Sequence, residues 1–359
     1  MTYVLAIGTR KGLWIATSDD RSTWSLDGPH LLMQEVASVA IDTRRSPARL
    51  LVGTMSWHWG PTLMWSDDLG ATWHETGNAA IAFPEDTGAA LGRVWQLQPD
   101  TADRPDVVWA GCEPTSLWRS GDGGETFTLV RGLWDHPHRA DWVPGFGGAA
   151  VHTVVPHPTD DGVTVAMSTG GVYVSDDGAT GWTPRNQGIQ VTFGPDRFPE
   201  FGQCVHKVAM DASGPDRLYA QNHHGVYRSD DAGGSWTSIA DGLPSDFGFF
   251  VLASPRTPGT AWVMPLEADA RRIPVGGRMR VHRTRDAGAT WTELGAGLPD
   301  ETYTVALRDA ACVDAGDPTG VYVGTRDGVV YASADEGETY SVVAAHLPDV
   351  LSLRAAVLP

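Results

Sequence analysis

The sequence predicts an all-β protein, a single seven-bladed β-propeller of four-stranded antiparallel blades that spans residues 1–359. Three observations lead to this fold class. A short motif recurs seven times with a spacing of 48 to 55 residues, β-rich segments surround each copy in the same order, and the C-terminal segment supplies a strand that the first repeat lacks. A repeat of this length is typical of propellers and related arrays.

The motif reads Ser/Thr-x-Asp-x-Gly-x-Thr/Ser-aromatic. Its clean copies are Ser66–Trp73 and Ser229–Trp236, and further full copies begin at Ser120, Thr284 and Ser333. The copy at Ser175 has Ala179 in place of Gly, and the copy at Ser18 is one residue short. Asp and Ser side chains bond turn amides and Gly adopts positive φ, so the motif predicts a tight turn, although seven acidic turns on one rim also leave calcium open.

Each repeat contains the segments of one blade. A first strand such as Val36–Ile41, Val151–Val155, Val205–Met210 or Thr302–Leu307 precedes a second such as Leu50–Thr54, and the motif joins the third strand to the fourth. Four strands per unit is the composition of a propeller blade.

The first repeat begins with its second strand, Tyr3–Gly8. We expect Val350–Ala355 to pair beside it, because this pairing closes the ring and removes an exposed strand edge.

Composition limits the partners. The chain has 44 acidic and 26 basic residues and a formal net charge of −18, which disfavours nucleic acid and anionic membranes. No apolar run approaches the roughly 20 residues of a membrane span. The N-terminus resembles a strand rather than a signal peptide, and Cys112, Cys204 and Cys312 form no CxxC, so we expect a cytoplasmic protein with reduced core cysteines. Oligomeric state is not predictable.

The motif and its period resemble the Asp-box (BNR-repeat) propellers, which include sialidases, xyloglucanases, sortilin-type receptors and the photosystem II assembly factor. Seven blades depart from the six-bladed sialidases, and Arg272-Ile273-Pro274 lies between the fifth and sixth motifs, whereas sialidases carry Arg-Ile-Pro before the first. The resemblance therefore implies fold, and implies hydrolase activity only by analogy.

Strand order places the loops between second and third strands on the face opposite the motifs, together with the two long blade connections at 131–148 and 185–203. Pro, Gly, Asn and Asp are enough to make such turns. These loops instead carry His, Glu, Arg and Trp, which are typical of a binding or catalytic site near the channel.

The favoured interpretation is a sialidase- or glycosidase-like enzyme that acts on a small polar or anionic molecule in the central channel. The candidate catalytic residues are Glu113, His58, His223, His224 and Glu267. The candidate substrate-binding residues are Arg10, Lys11, Trp57, Trp59, Asn222, Lys207, Arg271 and Arg326, with Asp269 in the same loop as Glu267. Glycoside cleavage would require two carboxylates about 5 to 10 Å apart.

Two further questions stay open. His152 and His206 occupy equivalent positions in neighbouring first strands, and strict alternation would let either this pair or Thr153 and Lys207 face the axis. No motif requires a cofactor, although His and Glu in the channel could hold a divalent metal. The alternative function is a non-enzymatic interaction or assembly-factor propeller.

Overall fold

The computed structural model describes residues 1–145, 148–158, 160–268 and 270–359. Within them, seven four-stranded antiparallel sheets are arranged as the blades of one propeller. The strands of the first three blades are β1 (Thr2–Thr9), β2 (Gly12–Ser18), β3 (Ser25–His30), β4 (Glu35–Asp42), β5 (Arg49–Ser56), β6 (Gly60–Ser66), β7 (His74–Glu75), β8 (Arg93–Pro99), β9 (Val108–Glu113), β10 (Ser116–Ser120) and β11 (Thr128–Leu129).

The other four blades continue this order. Their strands are β12 (Val151–Pro156), β13 (Val163–Met167), β14 (Gly171–Ser175), β15 (Thr183–Pro184), β16 (Val205–Met210), β17 (Leu218–Asn222), β18 (Val226–Ser229), β19 (Thr237–Ser238), β20 (Val251–Ala253), β21 (Ala261–Val263), β22 (Val281–Thr284), β23 (Thr292–Leu294), β24 (Ala311–Val313), β25 (Val321–Gly324), β26 (Val330–Ser333) and β27 (Ser341–Ala344). The last strand of the chain, β28 (Val350–Leu358), belongs to blade one. The helical segments are α1 (Arg131–Trp134) and three short 3-10 turns, Glu85–Thr87, Pro137–Asp141 and Val275–Gly277. Within the described part of the chain, no helix has the length and apolar character needed to cross a membrane.

The ring closes as the sequence predicts. Strand β28 pairs antiparallel with β1, from Thr2 opposite Leu358 to Thr9 opposite Val350, and completes blade one as β28-β1-β2-β3. The first and last strands therefore belong to one sheet, and the pairing leaves β1 with a neighbour on each side.

The repeated motif forms the turn between the third and fourth strands. In the copy at Ser66, the Ser66 hydroxyl donates to Asp68, and Asp68 accepts from both the amide and the hydroxyl of Thr72. Gly70 lies at φ +91°, and in the degenerate copy Ala179 lies at φ +69° in the equivalent position. The turn conformation thus survives the loss of glycine, because the Ser175 hydroxyl still accepts from the Ala179 amide.

The core lies between the blades, where large aromatic side chains pack against the neighbouring sheet. Trp118, Trp262, Tyr173, Tyr219 and Tyr322 are fully buried. Rings of this size each bury roughly 150–250 Å², so interblade packing is the main source of hydrophobic stabilisation.

One predicted first strand is wrong. Residues Thr302–Leu307 contain no strand, and the first strand of the seventh blade is β24, which pairs with β25. The alternating Thr-Tyr-Thr-Val-Ala-Leu pattern suits a strand, but this segment passes the inner end of the blade, where only single contacts such as Arg326 N–H to Val305 C=O hold it.

Candidate functional site

A cavity of about 730 Å³ lies on the propeller axis. The entry segment of every blade contributes one inward residue. These residues are Ala37, Trp95, His152, His206, Phe249, Arg308 and Leu351. Loops of the face opposite the motifs complete the wall, through Arg10, Thr169, His223, Arg272 and Arg326 among others. The expected location of the site, on this face and at the axis, is where the cavity lies.

A repeated β-bulge turns these residues inward. The pairing of β4 with β5 skips Ala37, and corresponding shifts occur at Trp95, His152, His206 and Leu351. A bulge leaves one residue of a strand unpaired and re-aims its side chain. The same local irregularity therefore supplies five of the seven inward residues of the entry segments.

The bulge also overturns the expectation that alternation keeps His206 and Lys207 apart. His206 lines the cavity, and Lys207 Nζ lies 2.5 Å from Asp309 Oδ1, across the axis in the seventh blade. Arg354 in blade one binds the other oxygen of Asp309 at 3.0 Å. Each first strand enters from the cavity face, so residues that follow the bulge lie deeper, and this three-residue bridge forms the floor of the cavity.

Most charged groups of the wall are paired. Glu35 binds Arg10 at 3.2 Å and Arg93 at 2.7 Å. Asp349 binds Arg326 at 2.8 Å and lies 3.5 Å from Arg10. Arg10 and Arg326 line the cavity as predicted, but each is already engaged by a carboxylate of the rim.

Arg308 differs from Arg10, Arg93 and Arg326, which also line the cavity but form ion pairs with carboxylates. No hydrogen bond or ion pair joins its guanidinium to the described residues, and its Nε is buried without an acceptor. Its Cζ lies 6.0 Å from the ring centre of Trp95 and 5.7 Å from that of Phe249. Burial lowers the pKa of Arg308, although a guanidinium keeps its charge in proteins. Arg308 therefore presents unused donors to the cavity.

His152 is a second group without partners. Its side chain is 2% exposed, and neither ring nitrogen has a hydrogen-bond partner in the described structure. Burial, with the positive charge of Arg308 and the nearby His206 and Lys207, holds the pKa of His152 well below its usual value. The imidazole is therefore neutral near pH 7 and offers one N–H donor and one acceptor nitrogen to a ligand.

Cys204, His206 and His223 form a third feature of the wall. One donor atom from each lies within 4.8 Å of the other two. His206 Nδ1 lies 2.6 Å from the carbonyl oxygen of Gly248, and His206 Nε2 lies 3.4 Å from His223 Nδ1. Burial raises the pKa of the Cys204 thiol and strongly lowers that of His206. This is the group of described residues that could hold a metal.

Three of the predicted residues, His223, Arg10 and Arg326, reach the cavity. Glu113 stands behind the wall, where it accepts a hydrogen bond of 3.0 Å from the indole of Trp95. Asn222 is buried and donates to the carbonyls of Gln190 and His224, so its amide supports loops rather than a ligand.

The other predicted residues lie away from the cavity wall. Trp57 and Trp59 are 91% and 80% exposed at the tip of the β5–β6 hairpin, with His58 between them. Lys11 is exposed, His224 is half-buried beside His223, and Glu267 pairs with the exposed Arg271 at 2.9 Å. Asp269 lies outside the described residues.

Sequence reasoning missed Arg308, Trp95, Glu35 and Cys204. Arg308 follows the segment mistaken for a strand, so its inward position was hidden. The signal that could have found it is alignment of the repeats: Arg308 occupies the position that His152 and His206 hold in their own blades.

Among the described residues, two carboxylates line the cavity, Glu35 and Asp309, and each binds two cations. The neighbouring cations lower the pKa of Asp309 against the opposing effect of burial. A glycosidase acid must be protonated at working pH. Asp309 in this environment does not meet that requirement.

Comparison with known proteins supports the Asp-box resemblance. No family model matches the chain. The xyloglucanase of Hypocrea jecorina is 26% identical over 341 residues, which covers 82% of this chain and 36% of that enzyme. The chain thus spans about a third of the length of this curated relative.

Solved structures give the same fold. An ancestral GH74 enzyme matches with a TM-score of 0.59 and 19% identity, over 86% of this chain and 38% of the other. YCF48 from Cyanidioschyzon merolae matches with a TM-score of 0.53 and 14% identity, over 88% and 86% of the two chains. The protein is therefore an Asp-box-like propeller that is similar in sequence to a xyloglucanase and similar in fold to an ancestral GH74 enzyme and to YCF48.

Proposed function

We propose that this propeller is an enzyme that acts on a small organic anion bound in the axial cavity. The observation that carries the proposal is Arg308, an inward guanidinium that has no ion pair with the described residues. The described carboxylates of the cavity, Glu35 and Asp309, are already neutralised by other cations. A planar guanidinium suits bidentate binding of a carboxylate. The substrate class is thus a small carboxylate, such as a sugar acid.

The surroundings of Arg308 favour a partly apolar substrate. Trp95 and Phe249 flank the guanidinium, and both rings line the cavity. Apolar walls with a few placed polar groups are typical of small-molecule sites. An anion bound here would pair with the Arg308 guanidinium. Little water would compete for that guanidinium, so the ion pair would be stronger than at the surface.

His152 is proposed as the group that accepts a proton from the substrate or from a water molecule. It is neutral and buried, and neither ring nitrogen has a hydrogen-bond partner among the described residues. A bound carboxylate nearby would favour the protonated imidazole and so oppose the effect of burial on its pKa. Its first strand neighbours that of His206, so both histidines face one ligand volume. A positioned general base contributes roughly 10²–10⁴-fold to a rate.

Relation to the xyloglucanases supports hydrolase-like chemistry, but this chain spans 36% of the length of the Hypocrea jecorina enzyme. Glycoside cleavage on two carboxylates is not the chemistry we favour in this cavity, because Glu35 and Asp309 are each bound by two cations. The cytoplasmic location of the protein stays a prediction.

The test compares ligand binding by the wild type, Arg308→Gln and Arg119→Gln. Arg119 is an exposed arginine of β10 that makes a cation–π contact with Trp109. We expect sugar acids and small carboxylates to raise the melting temperature of the wild type and of Arg119→Gln, and not of Arg308→Gln. A ligand at 100 times its Kd stabilises by about 2.7 kcal/mol, which is measurable.

Turnover is then followed by NMR with each ligand that binds. His152→Asn should keep binding and lose most of the rate. Binding that survives in Arg308→Gln, or turnover that survives in His152→Asn, would contradict the assignment of that residue.

A second candidate function is protein docking. The observation that favours it is the Trp57–Trp59 hairpin tip, where two large aromatic rings are mostly exposed. Tryptophan is enriched where proteins bind one another. If a panel of small molecules produces no shift, and Trp57→Ala with Trp59→Ala abolishes co-purification of a partner from native extract, docking replaces the enzyme proposal.

A further inference from the structure

We propose that Cys204, His206 and His223 bind a divalent transition metal, with Zn²⁺ the best match, and that the fourth ligand position opens into the axial cavity. Thiolate and imidazole are ligands that zinc prefers in proteins. The inference stands on these three residues and does not depend on the proposed anion site.

The donor spacing suits a tetrahedral ion. Zinc–nitrogen bonds of about 2.0–2.1 Å at a tetrahedral angle place two nitrogens about 3.3 Å apart. His206 Nε2 and His223 Nδ1 lie 3.4 Å apart, and the Cys204 sulfur lies within 4.8 Å of both histidines' donor atoms. A side-chain rotation that moves the Cys204 sulfur by less than about 1.5 Å would complete the three-ligand set.

The outer contact of His206 matches that of a metal ligand. A carbonyl oxygen can only accept, so the 2.6 Å contact with Gly248 requires a proton on His206 Nδ1. The lone pair then lies on Nε2, the atom that faces His223 and Cys204. Metal-bound histidines almost always donate their other N–H in this way.

The backbone holds the three residues together. Cys204 directly precedes β16, His206 is the second residue of that strand, and the bulge turns His206 toward the axis. The amide of His223 donates to the carbonyl of Cys204 at 2.9 Å, which fixes the β17–β18 loop against this strand. Phe247 and Phe249 pack beside the His206 ring, with ring centres 5.9 and 5.2 Å away, and restrict water on that side.

The nearby charges determine which kind of ligand would occupy the fourth coordination position of the metal. Arg308 and Arg272 line the same cavity, and their positive charges oppose a bare cation. One thiolate leaves a bound Zn²⁺ with a net charge of +1. We therefore infer that an anionic fourth ligand, a hydroxide or a carboxylate, completes the site.

The competing explanation of the same geometry is a plain hydrogen bond between His206 and His223. Metal titration separates the two. Protein stripped with a chelator is titrated with Co²⁺, whose bond to a thiolate gives a near-ultraviolet charge-transfer band. We expect one Co²⁺ per chain, the band, and displacement of both by Zn²⁺.

Matched variants locate the site. Cys204 and Cys312 are similarly buried, at 8% and 7% exposure, so Cys312→Ser controls for Cys204→Ser. His224→Ala controls for His223→Ala at the adjacent position. We expect Cys204→Ser to lose the band and His223→Ala to weaken binding by at least about tenfold, with both controls unchanged.

Circular dichroism confirms that each variant is folded, and His223→Ala tests the site even if Cys204→Ser is unstable. Absence of saturable binding in the wild type would overturn the proposal. A charge-transfer band that persists in folded Cys204→Ser, or moves with Cys312→Ser, would overturn it as well.

Discussion

The two faces of this propeller use polar residues in opposite ways. On the motif face, the carboxylate of Asp335 accepts from the Ser333 hydroxyl and from both the amide and the hydroxyl of Thr339. At the axis, Arg308 and His152 have buried nitrogens without partners in the described structure. The motif carboxylate is satisfied within its own turn, whereas the axis holds a cation and an imidazole whose buried nitrogens have no partner among the described residues.

This difference indicates where function lies. Seven acidic turns are the most conspicuous feature of the sequence, yet the hydrogen bonds at Asp68 and Asp335 give those carboxylates a structural role. A buried polar group without a partner destabilises a protein, so such a group calls for an explanation outside the fold. The predictions below test this contrast.

The largest expected effect comes from deleting residues 350–359, because both regions depend on the closed ring. The deletion removes β28, leaves β1 with an open edge, and takes Arg354 from the cavity floor. We expect loss of the cooperative thermal transition by circular dichroism. Removal of Pro359 alone, which lies beyond β28, should leave the transition intact. A truncated chain that melts like the full one would show that closure is dispensable.

Asp335→Ala tests the motif side. The change removes the acceptor of three hydrogen bonds, and we expect the free energy of unfolding to fall by about 1–2 kcal/mol, measured by urea denaturation. Asp241 is exposed, and its side chain makes no hydrogen bond with the described residues. Asp241→Ala should therefore change the free energy of unfolding by less than about 0.5 kcal/mol. Equal effects at the two positions would contradict a structural role for the motif.

Acidification should affect the two sides in separate pH ranges. Because the pKa of His152 is depressed in the folded protein, its contribution to stability is present above about pH 6.5 and is lost as pH falls below that value. The groups that face it are Arg308, His206 and Lys207. The slope for one such group is at most about 1.4 kcal/mol per pH unit.

The motif carboxylates respond at lower pH. Hydrogen bonds from Thr72 and Ser66 lower the pKa of Asp68 to about 2, so its contribution is lost only as pH falls from its ordinary range near 3.8 through that value. Urea midpoints from pH 8 to pH 5 should fall for the wild type and fall less for His152→Asn. Identical slopes for the two proteins would show that His152 does not titrate in this way.

Arg308→Gln should have the smallest effect on stability. The substitution removes a buried charge that has no ion pair with the described residues, so we expect the free energy of unfolding, measured by urea denaturation, to stay constant within about 0.5 kcal/mol or to rise. A clear loss of stability would mean that Arg308 has a structural partner, and would weaken the contrast between the two faces.

Local features of the fold could be predicted from sequence, and the site could be predicted only in part. The motif turns depend on contacts within about four residues, such as Ser66 to Gly70, so a repeated short pattern is enough to find them. The closing strand follows from counting strands per repeat. The face that bears the cavity follows from strand order.

The cavity lining depends on features that sequence does not display. A bulge is a property of two paired strands, so the inward turn of His206 and the position of Lys207 were not readable from alternation. Trp57 and Trp59 were expected near the channel, but Ser56 pairs with Gly60 and projects the hairpin tip into solvent. Arg308 has no hydrogen-bond or ion-pair partner among the described residues, and this depends on residues from several blades at once.

The bridge of Lys207, Asp309 and Arg354 joins the fifth, seventh and first blades at the deep end of the axial cavity. We expect this bridge to obstruct passage along the axis, so that a ligand enters and leaves through the cavity mouth. A free small molecule or a chain end could then reach Arg308, whereas a polymer could not be threaded along the axis. Each product would have to leave before the next substrate enters, which makes release a candidate for the slow step of turnover.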